Sequence, residues 1–300
     1  MRASASAAGE LVQRQRDLSR ARLCLLSAAL LWSLAGVFIK FLFLPPLTIV
    51  FYRSLFAGLF FAFLIRKSRG MPVRALLASM LSYTAAISAF VSANKMTTAA
   101  NAIALQYTAP IFVFLIVHVF FREKISGANW MALGMGMLGI AVICAGSAGQ
   151  PDLAGVMVAL LSGLLFSGYM VSQRFLTAVN PSTLVFLNNM ACCLFVLPFV
   201  SSELDLSLHE GWIVAVMGIV QLGIPYWLFS KGLEKIPVQE ASLIVLIEPV
   251  LNPIWVALFV GEVPSQATWI GGSLILASLG FRYLQQWLKG RANPLRRSED

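Results

Sequence analysis

Charge is scarce in this 300-residue chain: Asp, Glu, Lys and Arg make up 12% of it, about half the roughly 25% of a soluble domain. Together with 59% hydrophobic residues, that shortage excludes an ordinary water-soluble fold and makes the chain an integral membrane protein. Histidine is scarcer still. His118 and His209 are the two present, too few for a histidine-rich metal centre and not placed for a Ser/His pair, so an intramembrane enzyme is a remote alternative. The four cysteines, Cys24, Cys144, Cys192 and Cys193, lie inside apolar runs and read as small core residues, neither a disulfide framework nor a metal site. Walker A loops are missing too. Gly134, Gly136 and Gly139 fit the spacing of a dinucleotide loop, but no strand precedes them and they sit within an apolar run, so no cofactor is expected.

Long apolar runs are what the chain does have. With about 20 residues for each crossing, they divide into ten spans at 22–43, 47–65, 73–93, 97–120, 128–147, 153–175, 182–201, 211–231, 238–260 and 267–288. The runs are apolar on every face, which predicts helices and not the alternating strands of a barrel. The apolar run after residue 20 is longer than the roughly 7–15 residues of a signal-peptide core, and reads as a retained first helix.

The net charge of +9 reports orientation. Nineteen Lys and Arg fall in the N-terminal tail, the even-numbered loops and the C-terminal end; Lys40 and Lys95 are the two on the opposite side, and Arg53 lies within a span. By the positive-inside rule both termini are cytoplasmic, which fits a multi-pass protein of a bacterial inner membrane. Basic residues spread in this way over span ends argue against a nucleic-acid partner.

The chain also repeats itself. Pro110, Glu123, Ser126 and Trp130 meet Pro249, Glu262, Ser265 and Trp269 at one common offset of 139. Leu30, Leu31, Ser33, Lys40, Phe41 and Leu42 likewise fall on Leu164, Leu165, Ser167, Arg174, Phe175 and Leu176, and Pro46, Thr48 and Phe51 on Pro181, Thr183 and Phe186. The expected organisation is a tail at 1–20, one five-helix repeat at 21–147, a second at 152–288 and a tail at 289–300. Five crossings per repeat is an odd number, so the second repeat enters the membrane from the opposite face. Inverted repeats of this kind place a substrate near the midplane and move it by alternating access. A duplicated membrane scaffold without transport is the competing reading.

Trp32 to Lys40 (WSLAGVFIK), Arg53, Asn101 to Pro110 (NAIALQYTAP), Glu123, and Glu248 to Pro253 (EPVLNP) followed by Glu262 resemble the drug/metabolite transporter superfamily, in particular its ten-helix EamA branch. Ser33 stands where that family often has Gly. The resemblance spans both repeats and implies an all-α membrane fold of two inverted five-helix repeats. It further implies, for most bacterial members, export of amino acids or other small metabolites. An importer or exchanger of quaternary amines on the same scaffold is the alternative. Without a nucleotide domain, transport would be driven by a gradient.

Candidate residues follow from cost. Glu248 lies near the bilayer centre, where a carboxylate costs on the order of 2.5–3.5 kcal/mol, so it should face a cavity or a partner. It could bind a substrate ammonium, carry a coupled proton, or make a structural hydrogen bond. Pro110, Pro249 and Pro253 remove donors from the fourth and ninth helices, leaving the carbonyls of Gln106, Val245 and Pro249 without partners; such breaks are tolerated beside protein or a water-filled cavity. They are candidates for gating, as is Arg53, which could snorkel outward, pair with a carboxylate of the chain or pair with a substrate carboxylate. Asn94, Thr97, Asn101 and Thr108 share one helical stripe that could line a path, and Asn252 shares a face with Glu248. Glu240 is read as a solvated mouth residue or a partner of Lys235. Trp32, Tyr83, Tyr107, Phe166, Tyr169, Tyr226 and Trp227 could wall an apolar or aromatic substrate or meet an amine by cation–π contact, or simply pack. His118 reads as interfacial. Ala132, Gly136 and Gly139, with Ser273, Ala277 and Gly280, offer smooth faces for packing the repeats together or for a homodimer. The expected partners are thus a small-molecule substrate, the lipid bilayer, a coupled proton and a second copy.

Overall fold

A chain inside lipid finds no water for its peptide groups, so each apolar run must satisfy its own backbone, which a helix does. The computed structural model describes residues 2–96, 99–122, 127–146, 153–200, 204–261 and 266–292, and no strand occurs among the described residues. Thr97, Glu123, Ser126, Glu203, Glu262 and Ser265 lie outside them, as do the side chains of Lys40, Asn101 and Cys144. The helices are α1 (Arg2–Trp32), α2 (Ala35–Phe41), α3 (Pro46–Ala62), α4 (Val73–Met96), α5 (Ala99–Gln106), α6 (Ala109–Phe121) and α7 (Gly127–Gly146). The second half continues with α8 (Leu153–Gln173), α9 (Pro181–Val200), α10 (Leu208–Val216), α11 (Ile224–Leu233), α12 (Val238–Ile244), α13 (Glu248–Val260) and α14 (Gln266–Ala292).

Five stretches, Val12–Ile39, Val73–Met96, Pro181–Val200, Leu208–Leu233 and Glu240–Val260, are long and apolar enough to cross a bilayer. Five shorter apolar helices, Pro46–Ala62, Ala109–Phe121, Trp130–Val142, Met157–Gln173 and Trp269–Ser278, complete the ten transmembrane segments of two inverted five-helix repeats. The main packing runs between the repeats. Helices α3 and α9 pair, as do α7 and α14; α4 lies on α8 as α1 lies on α11, the exchange expected of a pseudo-two-fold axis.

Four spans expected to be single helices are divided. Pro110 and Pro249 each sit in the first turn of a helix, α6 and α13, where their missing N–H costs nothing. The chain ends α5 at Gln106 and turns through Tyr107 and Thr108; in the ninth span it passes from α12 through a 3₁₀ turn, Val245–Ile247, into α13. Of these three prolines Pro253 alone lies inside its helix, as Pro198 does in α9. The first span breaks after Trp32, and here Ser33 explains its own presence: its hydroxyl donates to the Leu30 carbonyl at 2.6 Å and accepts from Trp255 Nε1 at 2.7 Å. In the eighth span a π-helical stretch, Met217–Gly223, separates α10 from α11. Gly218 in that stretch rests on α3, where a Cβ would lie 2.4 Å from the Arg53 carbonyl oxygen.

The smooth face of α7 packs inside the molecule. A Cβ on Gly139 would lie 2.5 Å from the Gly271 carbonyl oxygen, and one on Gly136 3.5 Å from Ser278 Oγ. In α14 the face used is therefore Gly271, Ile275 and Ser278, which are buried, and not Ser273, Ala277 and Gly280, which are exposed. The 139-residue offset explains this, since it carries Ala132, Gly136 and Gly139 onto Gly271, Ile275 and Ser278.

The same offset relates α6 to α13 at both ends, and each stops on a left-handed residue, Arg122 (φ 53°) and Gly261 (φ 82°). Glycine adopts that conformation freely; a side chain there costs roughly 1–2 kcal/mol. Arg122→Gly is therefore expected to stabilise the protein by about 1 kcal/mol and Gly261→Ala to destabilise it by a similar amount, read as opposite shifts of the thermal midpoint in detergent.

Candidate functional site

The two helix breaks of the fourth and ninth spans face each other. Helix α5 packs on α13 and α12 on α6, which brings Tyr107, in the turn before α6, to Glu248 at the start of α13. The Tyr107 hydroxyl donates to the Glu248 carboxylate, and both residues are buried, Glu248 to 6% exposure. A buried carboxylate needs such a donor, because desolvation without a partner costs far more than a hydrogen bond returns. The position of Glu248 at the first turn of α13 adds the favourable end of that helix's dipole.

Beside this pair the structure gathers five aromatic residues expected from the sequence. Trp32 lies edge-on to Tyr226 at 4.8 Å and to Phe166 at 5.9 Å between ring centroids. Tyr83 meets Tyr226 at 4.8 Å, and Tyr169 meets Tyr226 at 5.3 Å and Phe166 at 6.0 Å. Edge-to-face contacts direct ring edges at π faces, and the faces so presented can also take a cation. Trp32 comes from α1 and Phe166 from α8, and they are equivalent positions of the two repeats, 134 residues apart, so the cluster sits where the repeats meet. Tyr226 lies within electrostatic reach of both Glu248 and Arg53. Arg53 is buried and belongs to the same neighbourhood, with Tyr83 and Cys192 beside it.

Other expected residues have different partners. Asn252 donates from Nδ2 to the Ser33 carbonyl at 2.7 Å and so covers the break of the first span. Asn94 donates to Phe90 in its own helix, at 2.9 Å, and its Oδ1 is buried without a partner. Thr108 donates to the Leu105 carbonyl at 2.8 Å and packs under Gly163 of α8. Asn101 lies on α5. Trp227 is half-buried with Lys231 Nζ 4.8 Å above its ring, an interfacial arrangement, and His118 is exposed near the end of α6. Glu240 is buried and pairs with Arg22 at 3.1 Å, not with Lys235, because α12 packs on α1.

Sequence reasoning passed over a second polar set. Ser79 donates to Asn188 at 3.2 Å, Gln173 to Ser79 at 3.1 Å and Ser230 to Gln173 at 3.3 Å, tying α4, α8, α9 and α11 together. Tyr83 donates to Asn189 at 3.0 Å and Gln221 to the Trp32 carbonyl at 3.3 Å. The available signal was the cost of an amide inside an apolar run, which marks Gln173, Asn188, Asn189 and Gln221. A separate groove of about 360 Å³, lined by Leu47, Thr84, Ser88, Val196 and Phe199 among others, contains none of the expected site residues. Cys24, Cys192 and Cys193 carry free thiols, and no cluster of metal-binding side chains occurs among the described residues.

Two stretches of the chain, 19–145 and 153–283, each match the model of the EamA-like transporter family. The chain belongs to that family. An uncharacterised transporter of Archaeoglobus fulgidus is 26% identical over 254 residues, 84% of this chain and 92% of the relative. The pseudopaline exporter CntI of Pseudomonas aeruginosa is 27% identical over 78% of this chain and 85% of its own length. The riboflavin transporter of Vibrio cholerae is 25% identical over 62% of each chain. A protein crystal structure superposes with a TM-score of 0.77 at 19% identity, covering 89% of this chain and 98% of that one, a likeness of fold. Read as an EamA-like transporter, the chain is a multi-pass membrane protein that carries a small molecule through the bilayer.

If Tyr107 serves chiefly as the donor to Glu248, Tyr107→Phe should lower unfolding free energy by about 2 kcal/mol. In a Glu248→Gln background the same substitution should cost roughly half as much. Thermal melts of the four proteins in one detergent check this; equal costs in both backgrounds would show that Tyr107 acts independently of the carboxylate.

Proposed function

We propose that this protein is a secondary transporter of a bacterial inner membrane that exports amino acids or similar small amphipathic metabolites by alternating access. The observation that carries the reading is the meeting, at the junction of the repeats, of a buried carboxylate, Glu248, with an aromatic cluster built from both halves. Glu248 exchanges its bond to Tyr107 for the substrate ammonium or the coupled proton. Trp32, Tyr83, Phe166, Tyr169 and Tyr226 wall the site, and Asn94, Thr108 and Asn252 line the approach to it. The breaks beside Pro110 and Pro249, with Pro253 within α13, give the fourth and ninth helices the joints that rocking requires. Residues 21–147 and 152–288 are the rocking units, with tails at 1–20 and 289–300.

With both termini cytoplasmic, as the distribution of Lys and Arg implies, the Arg22–Glu240 pair lies at the cytoplasmic mouth. The Ser79–Asn188–Gln173–Ser230 network lies at the same end, below the aromatic cluster. Together they act as an inner gate, so this conformation is the one closed to the cytoplasm. Similarity to an exporter supports the outward direction. The ring faces beside Glu248 also favour a second reading, exchange of quaternary amines held by cation–π contact.

Counterflow in proteoliposomes loaded with amino acids and quaternary amines tests the proposal. Wild-type protein is expected to exchange amino acids, and Glu248→Gln to reduce exchange at least about tenfold, the effect of losing one charged contact worth about 1.4 kcal/mol, and to remove its pH dependence. Unchanged transport and pH profile in Glu248→Gln would dismiss Glu248 from the mechanism; exchange confined to quaternary amines would select the second reading.

A further inference from the structure

Arg53 has no role in the scheme so far, yet it is the largest of the fully buried side chains, at 2% exposure. A guanidinium cannot give up its proton in a protein, and burying it without an anion is strongly unfavourable. Among the described residues no carboxylate forms an ion pair with Arg53, and its Nε is buried without a hydrogen-bond partner. The titratable groups facing it are Tyr83 from α4, Tyr226 from α11 and Cys192 from α9. Cys192 already accepts from Ser54, and the Tyr83 hydroxyl already donates to Asn189. Glu248 is not among these titratable groups, and Tyr226 lies within electrostatic reach of both Glu248 and Arg53. Two more polar atoms on the helices around it, Trp32 Nε1 and Gln221 Oε1, are likewise buried and unpartnered.

A planar guanidinium fork matches a carboxylate in two parallel hydrogen bonds. We propose that Arg53 is the carboxylate anchor of the transport site, so that the cargo carries a carboxylate at Arg53 and directs its cationic end past Tyr226 toward Glu248. This deepens, and rests on, the reading of the chain as a transporter of amino-acid-like metabolites. Its physical content is that the protein holds in its interior a charge that a bound anion neutralises. The cargo class is then zwitterionic, and amines without a carboxylate are poor ligands.

The test compares phenylalanine, 3-phenylpropionate and 2-phenylethylamine, and in parallel leucine, 4-methylvalerate and isoamylamine, by thermal stabilisation of the purified protein and by counterflow. Wild-type protein is expected to be stabilised by the carboxylate-bearing members of each set and not by the amines. Arg53→Gln should abolish that stabilisation, and Arg53→Lys, which keeps the charge but loses the fork, should weaken apparent affinity at least about tenfold. Arg53→Met, freed of the uncompensated charge, should raise the midpoint of the ligand-free protein by several degrees, on the order of what removal of a buried ion gives; a merely structural arginine would lower it. No stabilisation of wild type by either carboxylate at tens of millimolar would overturn the assignment. So would stabilisation by phosphatidylglycerol in its place, which would make the anion a lipid headgroup. Amino-acid counterflow that persists in Arg53→Gln leaves the transport reading standing and removes the anchor. Stabilisation that is carboxylate-specific and Arg53-dependent, without counterflow, keeps the anchor and removes the transport reading.

Discussion

A carboxylate buried in the middle of a membrane protein must be met by a donor, and the contact between Tyr107 and Glu248 meets that demand. The rest of the architecture follows from making it possible. Tyr107 reaches Glu248 because the fourth and ninth spans both break at the same depth and pack break against break. Each break leaves backbone carbonyls without helical partners, so neighbouring helices must cover them. Prolines at the first turns of α6 and α13 set where the helices resume, and the start of α13 places the carboxylate at a helix N-terminus.

Duplication built the frame, and divergence between the copies gave it chemistry. Helices α6 and α13 begin and end at equivalent residues, yet the position that is Ala109 in one repeat is Glu248 in the other. One repeat supplies the acid and the other its donor, so the midplane carries one carboxylate and avoids the mutual repulsion of two. Trp32 and Phe166, also equivalent, touch across the junction. The break of the first span has no counterpart in the continuous α8, and it is covered by Asn252 and Trp255 of α13. Motion of the first span is thereby tied to the helix that bears Glu248.

The polar residues divide by depth. Arg22, Glu240, Gln173, Ser230, Ser79 and Asn188 link helices of both repeats near one end of the bundle. The aromatic cluster lies beyond them, its rings in mutual contact, and the buried Arg53 forms no ion pair with a carboxylate among the described residues.

Hydropathy, span counting, the 139-residue offset and the cost of an intramembrane carboxylate were enough to read the ten helices, their inverted order and the candidacy of Glu248, since each depends on composition or local spacing alone. The prolines announced trouble in the fourth and ninth spans for the same reason, though whether a helix kinks or stops there depends on what packs beside it. The partner of Glu248, the commitment of Asn252 to Ser33, the pairing of Glu240 with Arg22 and the burial of Arg53 were decided by the tertiary structure. Residues that meet there are 141, 219 and 218 positions apart, and a helix that is apolar on nearly every face does not state in its own sequence which face its neighbour will take.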